Sequence, residues 1–136
     1  MMSAHPERDR ESLIVLRAEY NFIVLNRFPY TSGHLMVVPY GHTAELAGIS
    51  RKAAAELMEL VRRAESSLRA VYRPDGLNLG MNLGESAGAG IAGHIHMHVL
   101  PRWFGDANFM STIGETRVLP EELDVTWQRL TEAFQR

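Results

Sequence analysis

The chain lacks cysteine altogether. Disulfide frameworks, zinc sites built on thiolates and a cysteine nucleophile are therefore excluded together. Residues 1–11 lack an apolar run, so neither a signal peptide nor a membrane-spanning segment is expected there. The formal net charge is −2 and the basic residues are dispersed, so the chain lacks the basic patch with which proteins bind nucleic acid. We therefore expect a cytoplasmic protein with no membrane partner and no nucleic-acid partner.

The length of 136 residues suits one domain that buries about two-thirds of the surface its unfolded chain would expose. Residues 1–11 offer little to bury and are predicted to form a polar lead-in, disordered in part. Residues 12–136 are predicted to form a single domain.

Five short segments carry the β-branched and alternating apolar residues that are typical of strands. The first two are predicted to form a hairpin, and the third should end at Pro39. The fourth places Asn78 and Asn82 on one face and leads into a glycine-rich loop. The predicted strands are residues 13–16, 22–25, 34–39, 77–83 and 94–100.

Apolar residues recur at helical spacing over residues 57–71, and Ser50 is a predicted N-cap for this long helix. A short helix is predicted at 43–46 and a C-terminal helix at 119–135, with Pro120 in its first turn. The order of three strands, helix, two strands and helix predicts an α+β fold. We expect an antiparallel sheet of about five strands with a long central helix and a C-terminal helix.

Three of the six histidines alternate with apolar residues in the segment His94–Leu100. On a strand, His94, His96 and His98 would line one face while Ile95 and its alternating neighbours pack into the core. Imidazoles near neutrality serve proton transfer, nucleophilic attack or metal ligation. The pattern therefore predicts a chemical site and leaves the chemistry open.

The loop that precedes this triad is made of small residues. Eight of the ten residues from Gly84 to Gly93 are glycine, alanine or serine. Small side chains let backbone N–H groups approach an anion closely, and glycine permits the positive φ angles that such a cradle requires. The loop has no Gly-Lys-Ser/Thr ending and opens no helix, so it is not a P-loop. Phosphate binding is the predicted role, and a flexible linker between strands is the alternative.

Three uses of the triad remain open at this point. A metal could bind two neighbouring histidines, with His34, His42 or Asp106 as the third ligand. The histidines could also be exposed residues on a solvent-facing sheet. Neutral imidazole can instead attack phosphorus and form a labile phosphorylated or nucleotidylated histidine, while backbone N–H groups and the flanking histidines stabilise the negative charge.

The segment His94–Leu100 resembles the pattern His-apolar-His-apolar-His-apolar-apolar of the histidine-triad (HIT) family. Gly33–Pro39 is similar to the family's upstream Gly-His-apolar segment that ends in proline. Asn82 and the pair Ala87-Gly88 resemble its phosphate loop, and the resemblance covers residues 12–104. Residues 101–110 are similar to the bacterial branch labelled diadenosine tetraphosphate phosphorylase or ATP adenylyltransferase.

The resemblance implies a homodimeric enzyme that needs no cofactor and acts on a small nucleotide, adenine nucleotides or dinucleoside polyphosphates. His96 would attack the α-phosphorus, His94 would orient it through its backbone carbonyl, and His98 would contact the phosphate or the leaving group. His34 would support the triad and Asn26 would hold the ribose. Water in the second step gives a hydrolase, and inorganic phosphate gives a phosphorylase. The residues implied along the phosphate path are Asn82, Gly88, Ala89 and Gly90.

The chain departs from the family pattern at two places. Many members carry a polar residue, commonly glutamine, after the Ala-Gly pair, whereas Ala89-Gly90 offers backbone alone and the loop is one residue longer. Some relatives also have an N-terminal zinc site built on cysteine, which this chain cannot form. A nucleotide-binding module of weak activity is therefore a second hypothesis, and a histidine metal-binding protein is a third.

Overall fold

The computed structural model describes residues 8–89, 93–107 and 121–136. Five strands form one antiparallel sheet in the order β1-β2-β3-β5-β4, and the predicted α+β fold is confirmed. The helices are α1 (Asp9–Ser12), α2 (Arg51–Tyr72) and α3 (Leu123–Phe134), and the strands are β1 (Ile14–Arg17), β2 (Asn21–Leu25), β3 (Leu35–Pro39), β4 (Gly76–Gly80) and β5 (Met97–Arg102).

The centre of the sheet explains its stability and places the histidines side by side. All five residues of β2 are buried, as expected for a strand covered on both faces. Strand β3 pairs with β2 on one side and with β5 on the other, so that Met36 lies opposite His98 and Leu35 opposite Val99. This register brings the segment before β3 next to the C-terminal histidine of the triad.

Helix α2 packs its apolar face on the sheet. Ser50 caps it as predicted, because its side chain accepts the N–H of Ala53, a bond that satisfies one of the free donors of a helix start. The helix ends where Arg73 adopts a left-handed conformation with φ 47°, a common way to end a helix. Its buried residues are Ala53, Leu57, Leu60, Val61, Ala64 and Leu68.

The triad strand begins later than predicted. Strand β5 starts at Met97, so His94 and His96 precede it and the expected regular strand from residue 94 is wrong there. The register Val37–Met97 would place Ile95 opposite Pro39, which has no N–H to donate to a ladder. The N–H of Ile95 donates instead to the carbonyl of Thr43. Ile95 is still buried, so the alternation of faces survives without the ladder.

Other boundaries shift as well. Strand β4 ends at Gly80, so Asn82 lies in the following loop and not on a strand. The predicted short helix at 43–46 is a 3-10 turn at Leu46–Gly48, because the Thr43 hydroxyl accepts the N–H of Glu45 and holds the chain out of a helix.

The C-terminal helix begins at Leu123, while residues 119 and 120 lie outside the described residues. Glu121 precedes the N-cap residue Glu122 and is not helical, and its carboxylate accepts hydrogen bonds from Tyr72 and Thr126. A helix at Asp9–Ser12 occupies part of the predicted lead-in, and Asp9 pairs with Arg17. The boundary between residues 1–11 and 12–136 stays a prediction. None of the helices formed by the described residues has the length and apolar character that a bilayer crossing requires.

Candidate active site

A hydrogen-bond chain that begins at a backbone N–H runs through two histidines. The N–H of Tyr30 lies 3.1 Å from Nδ1 of His34, so this nitrogen is an acceptor and the ring proton is on Nε2. That Nε2 lies 2.9 Å from Nδ1 of His98 and donates to it. His98 is therefore left with its own proton on Nε2. His34, which is 1% exposed, sets the tautomer of His98.

The electrostatics of the site keep His98 neutral. Burial lowers the pKa of His98 below the ordinary value of 6.5, and the charge of a protonated His96 lowers this pKa further. A neutral His98 can accept at Nδ1 and donate at Nε2 at the same time. The ring thus offers a hydrogen-bond donor next to His96, whose ring centroid is 4.9 Å away in an edge-on arrangement.

His96 carries its ring proton on the other nitrogen from His98. Its Nδ1 lies 3.1 Å from the backbone carbonyl of His94. A carbonyl can only accept, so Nδ1 carries the proton and Nε2 carries the lone pair. An imidazole in this tautomer is a nucleophile or a proton acceptor at Nε2. This is the contact that the family resemblance implies for the His94 carbonyl, and the orienting role of His94 in a reaction stays a prediction.

His94 is held by the strand beside it. Its Nε2 lies 2.7 Å from the carbonyl of Pro39 and donates to it, and its ring centroid lies 4.4 Å from that of His42. From the sequence, His42 is interpreted as a surface residue or a possible metal ligand, because nothing in its spacing links it to the triad. The link arises from the loop after β3, which is tied to the triad through Thr43 and Ile95.

Asn26 lies beside His34 at the start of the turn that follows β2. The backbone N–H of Asn26 donates to the backbone carbonyl of His34 at 3.0 Å, and its side-chain Oδ1 accepts a hydrogen bond from the backbone N–H of Phe28 at 3.0 Å. The latter bond assigns the amide nitrogen to the side that faces His34, 3.4 Å from Nε2. Since that Nε2 is a donor to His98, the two nitrogens are in contact without a hydrogen bond. The structure thus places Asn26 next to His34, and its role at the ribose stays a prediction.

The small-residue loop folds back on itself. The N–H groups of Ala87, Gly88 and Ala89 donate to carbonyls of Gly84 and Glu85, so they are not free for the cradle expected from composition. Gly84 and Gly88 have φ angles of 85° and 96°, which favour glycine.

Asn82 lies beside this turn. Its amide nitrogen is 3.6 Å from where a Cβ at position 88 would lie. Gly90 lies outside the described residues. The loop therefore places Asn82 next to Gly88. The backbone N–H groups of residues 87–89 stabilise the turn by hydrogen bonds within the loop.

The three candidates for a third metal ligand have other partners. His34 bonds to His98, and His42 packs on His94. Asp106 accepts from Arg102 at 2.7 Å and from the N–H of Trp103, and the hydrogen bond from Arg102 holds the pKa of Asp106 below its usual value. Within residues 8–89, 93–107 and 121–136, no group of three or more His, Asp or Glu side chains could hold a metal ion.

Two solved structures have similar folds. A hypothetical histidine triad nucleotide-binding protein from Sulfolobus tokodaii matches with a TM-score of 0.77 and 25% identity, over 98% of this chain and 91% of that one. A zinc-bound histidine triad family protein from Mycobacterium smegmatis matches with a TM-score of 0.74 and 26% identity, over 91% and 84%. In this chain the pair His42 and His94 supplies too few ligands for a tetrahedral zinc site. The described residues do not fit such a site.

The sequence comparisons agree with the fold. An AP-4-A phosphorylase of Mycobacterium tuberculosis is 45% identical over 128 residues, which are 94% of this chain and 66% of that protein. An uncharacterised HIT-like protein of Saccharolobus solfataricus is 34% identical over 86 residues, 63% of this chain and 61% of that one. The sequence pattern of the HIT domain matches residues 7–105. The chain, with its five-stranded sheet and its triad of histidines, belongs to the HIT domain family.

Proposed function

We propose that this protein transfers a nucleotidyl group from adenine nucleotides or dinucleoside polyphosphates through a covalent nucleotidyl-histidine on His96. The observation that carries the proposal is the pair of opposite tautomers, a lone pair on Nε2 of His96 beside a proton on Nε2 of His98. A nucleophile and a hydrogen-bond donor side by side suit displacement at phosphorus. The 45% identity to an AP-4-A phosphorylase supports the substrate class.

In the first step Nε2 of His96 attacks the α-phosphorus. An N–P bond forms, the bond from phosphorus to the bridging oxygen breaks, and its electron pair leaves with the departing oxygen as a polyphosphate anion. That oxygen accepts a hydrogen bond from Nε2 of His98, which keeps its proton. The bond from Nδ1 to the His94 carbonyl stabilises the positive charge that His96 develops. In the second step an oxygen nucleophile attacks the same phosphorus, the N–P bond breaks, and His96 is restored.

The remaining site residues position the substrate in this proposal. Asn26 holds the ribose from its place beside His34. Asn82 lines the phosphate path with a side-chain amide, while Gly88 and Ala89 shape that path through their turn. Gly90 completes the path as the resemblance implies. The identity to a phosphorylase favours inorganic phosphate over water as the second nucleophile.

We include the expected homodimer and cytoplasmic location in the proposal. Strand β4 is at the edge of the sheet, and Leu79 on it and Leu83 beyond it are 55% and 44% exposed. An edge strand with exposed apolar side chains suits pairing with a second copy. Light scattering measures the molar mass, and a monomeric mass at micromolar concentration would contradict the homodimer. Fractionation of the producing cells tests the location.

The test of the chemistry uses diadenosine tetraphosphate with and without inorganic phosphate. ADP that appears only with added phosphate indicates a phosphorylase, whereas AMP with ATP indicates hydrolysis. His96→Ala should abolish turnover, with His5→Ala as the matched histidine control. Substrate labelled at the α-phosphorus should leave label on the wild-type protein in a sample quenched with an alkaline denaturant, because the P–N bond of a nucleotidyl-histidine is lost in acid and survives in base, and none on His96→Ala.

The two other hypotheses give different results. Binding without turnover in the wild type would favour a nucleotide-binding module. Stoichiometric metal that is lost in His94→Ala would favour a metal-binding protein. Unchanged turnover in His96→Ala would refute the proposed mechanism.

A further inference from the structure

A cavity of about 290 Å³ lies beyond the first triad histidine. Its walls come from the β1–β2 turn, the end of β3 with the loop that follows it, and the start of α2. Small-molecule sites begin at about this volume, roughly 300 Å³. None of the roles assigned to the triad, Asn26 or the 84–89 loop uses this cavity.

The cavity and the triad share contacts. His42 lines the cavity and packs its ring 4.4 Å from the ring of His94. Pro39 is also in the wall, and its backbone carbonyl accepts a hydrogen bond from Nε2 of His94. The triad thus connects two places, with His98 next to His34 and Asn26 at one end and His94 next to the cavity at the other.

The lining favours an aromatic ligand. Tyr20, Tyr40 and His42 contribute flat side chains, and Tyr40 is held by packing against Phe22 with ring centroids 5.2 Å apart. Such side chains bind a planar ring by stacking. Two tyrosines and a histidine in one small cavity are suited to a nucleobase.

The charge of the lining disfavours phosphate. Glu19, an acidic residue, is part of the lining, and burial together with the carboxylates of Glu19 and Glu56 raises the pKa of Tyr20. An environment that resists a tyrosinate also repels a phosphate. A carboxylate accepts from N–H donors such as the exocyclic amine of adenine. The preferred occupant is therefore an uncharged nucleoside with a donor group.

We propose that this cavity binds the second nucleoside of a dinucleoside polyphosphate, the one that departs with the leaving group. The inference rests on the proposed function, because it assumes that the first nucleoside is at Asn26 and the α-phosphorus at His96. The leaving polyphosphate then passes His94, and its nucleoside stacks between Tyr40 and His42. The cavity makes the enzyme selective for substrates with a nucleoside at both ends.

The experiment measures dissociation constants by calorimetry in a His96→Ala background, where turnover is removed. The two ligands are diadenosine tetraphosphate and adenosine 5′-tetraphosphate, which lacks the second nucleoside. Gly41→Leu narrows the cavity, since Gly41 lines it and a Cβ there meets no atom within 4 Å. We expect Gly41→Leu to weaken binding of the dinucleotide about tenfold, with little change for the mononucleotide, because one base loses its stacking partners.

Two further variants test the proposal independently if Gly41→Leu distorts the loop. Glu19→Gln keeps the size of an exposed side chain and removes the charge, and it should weaken the dinucleotide alone, about threefold. Ser66→Leu is the matched control, because it narrows another cavity of about 290 Å³ between α2 and α3. It should leave both dissociation constants unchanged.

The outcomes separate the two proposals. Selective weakening of the dinucleotide by Gly41→Leu and Glu19→Gln supports the second nucleoside site. Equal weakening of both ligands, or no change in either, overturns it while leaving the proposed chemistry intact. If the wild type neither binds nor converts diadenosine tetraphosphate, the proposed function fails, and the inference fails with it.

Discussion

Replacement of His34 by phenylalanine should disable the site without removing any triad histidine. Phenylalanine keeps an aromatic ring at this buried position, where the ring stacks on Tyr30 at 5.3 Å. It removes both ring nitrogens, so the N–H of Tyr30 loses its acceptor and Nδ1 of His98 loses its donor. His98 is then free to take either tautomer and to rotate.

The size of the effect follows from those two hydrogen bonds. A polar group left unpaired in a buried site costs about 1–3 kcal/mol. His98 is partly exposed, so water compensates in part and we expect a loss of roughly 2 kcal/mol in folding free energy. A similar loss of transition-state stabilisation lowers kcat/KM about thirtyfold. Urea unfolding measures the first quantity and initial rates with diadenosine tetraphosphate measure the second.

A pH profile separates positioning from a general loss of stability. In the wild type, His98 gains a proton on Nδ1 as the pH falls through its lowered pKa, which lies below 6.5, and it can no longer accept from His34. Activity should therefore fall on the acid side of that pKa. In His34→Phe the neutral form loses its hydrogen-bond donor, so the acid limb should move to higher pH. The pKa of His98 is lower in the folded than in the unfolded protein, so the stability that it contributes rises with pH up to the unfolded value.

His34→Gln provides the conservative control, because its amide can donate to His98 as the imidazole Nε2 does. It should recover part of the activity that His34→Phe loses. Wild-type kcat/KM in a folded His34→Phe protein would refute the idea that His34 sets the tautomer of His98.

Two structural predictions concern the elements that hold the site. The carboxylate of Glu56 accepts hydrogen bonds from the backbone N–H groups of residues 19–21 and from the side-chain amide of Asn21. Glu56→Ala should therefore lower the unfolding free energy by about 3 kcal/mol, whereas the control Glu59→Ala should change it by less than about 0.5 kcal/mol. Equal effects of the two variants in urea titrations would contradict this prediction. Gly33→Ala should lower the unfolding free energy by at least about 1 kcal/mol, because φ is +87° there and the new Cβ would lie 3.0 Å from the ring of Tyr72. Gly76→Ala is the control, because a Cβ at that position has no atom within 4 Å. The measurement is the shift in Tm of each variant.

Hydrogen bonds from Asn21, Tyr20 and Glu19 also make the Glu56 contribution depend on pH. Burial acts to raise the pKa of Glu56, but these hydrogen bonds outweigh it and the pKa is lowered overall. A lowered pKa of an acid means that its stabilisation is present above the unfolded value of about 4.3 and is lost as the pH falls further. Wild type and Glu56→Ala should therefore converge in stability at acid pH.

The alternation of buried and accessible side chains in the triad could be predicted from the sequence. In an extended segment, successive side chains point to opposite sides whether or not the backbone is hydrogen-bonded to a neighbouring strand. Ile95 and Val99 are buried and the three histidines are not, even though β5 starts at Met97. The long helix was equally readable, since its N-cap and apolar spacing are local. The start of β5 depends on Pro39, 56 residues before Ile95 in the chain, and could not be read locally.

Two features of the site depend on contacts that composition does not specify. A glycine-rich loop can offer its N–H groups to an anion or to its own carbonyls, and in Gly84–Ala89 three of them bond internally. The contact of His42 with His94 requires the Thr43–Ile95 hydrogen bond between two loops. Both depend on the path of the backbone, which sequence spacing leaves undetermined.

Backbone atoms anchor the histidines of the site at three points, and this determines what the site can do. The N–H of Tyr30 can only donate, and the carbonyls of His94 and Pro39 can only accept. None of the three changes protonation with pH, so each assigns one nitrogen of the ring that it meets. Two adjacent imidazoles thereby acquire opposite polarity, a lone pair on His96 and a proton on His98, without a carboxylate partner among these contacts. A carboxylate there would raise the pKa of an imidazole and repel a phosphate, so anchoring by neutral backbone groups is consistent with the proposed attack on a polyphosphate.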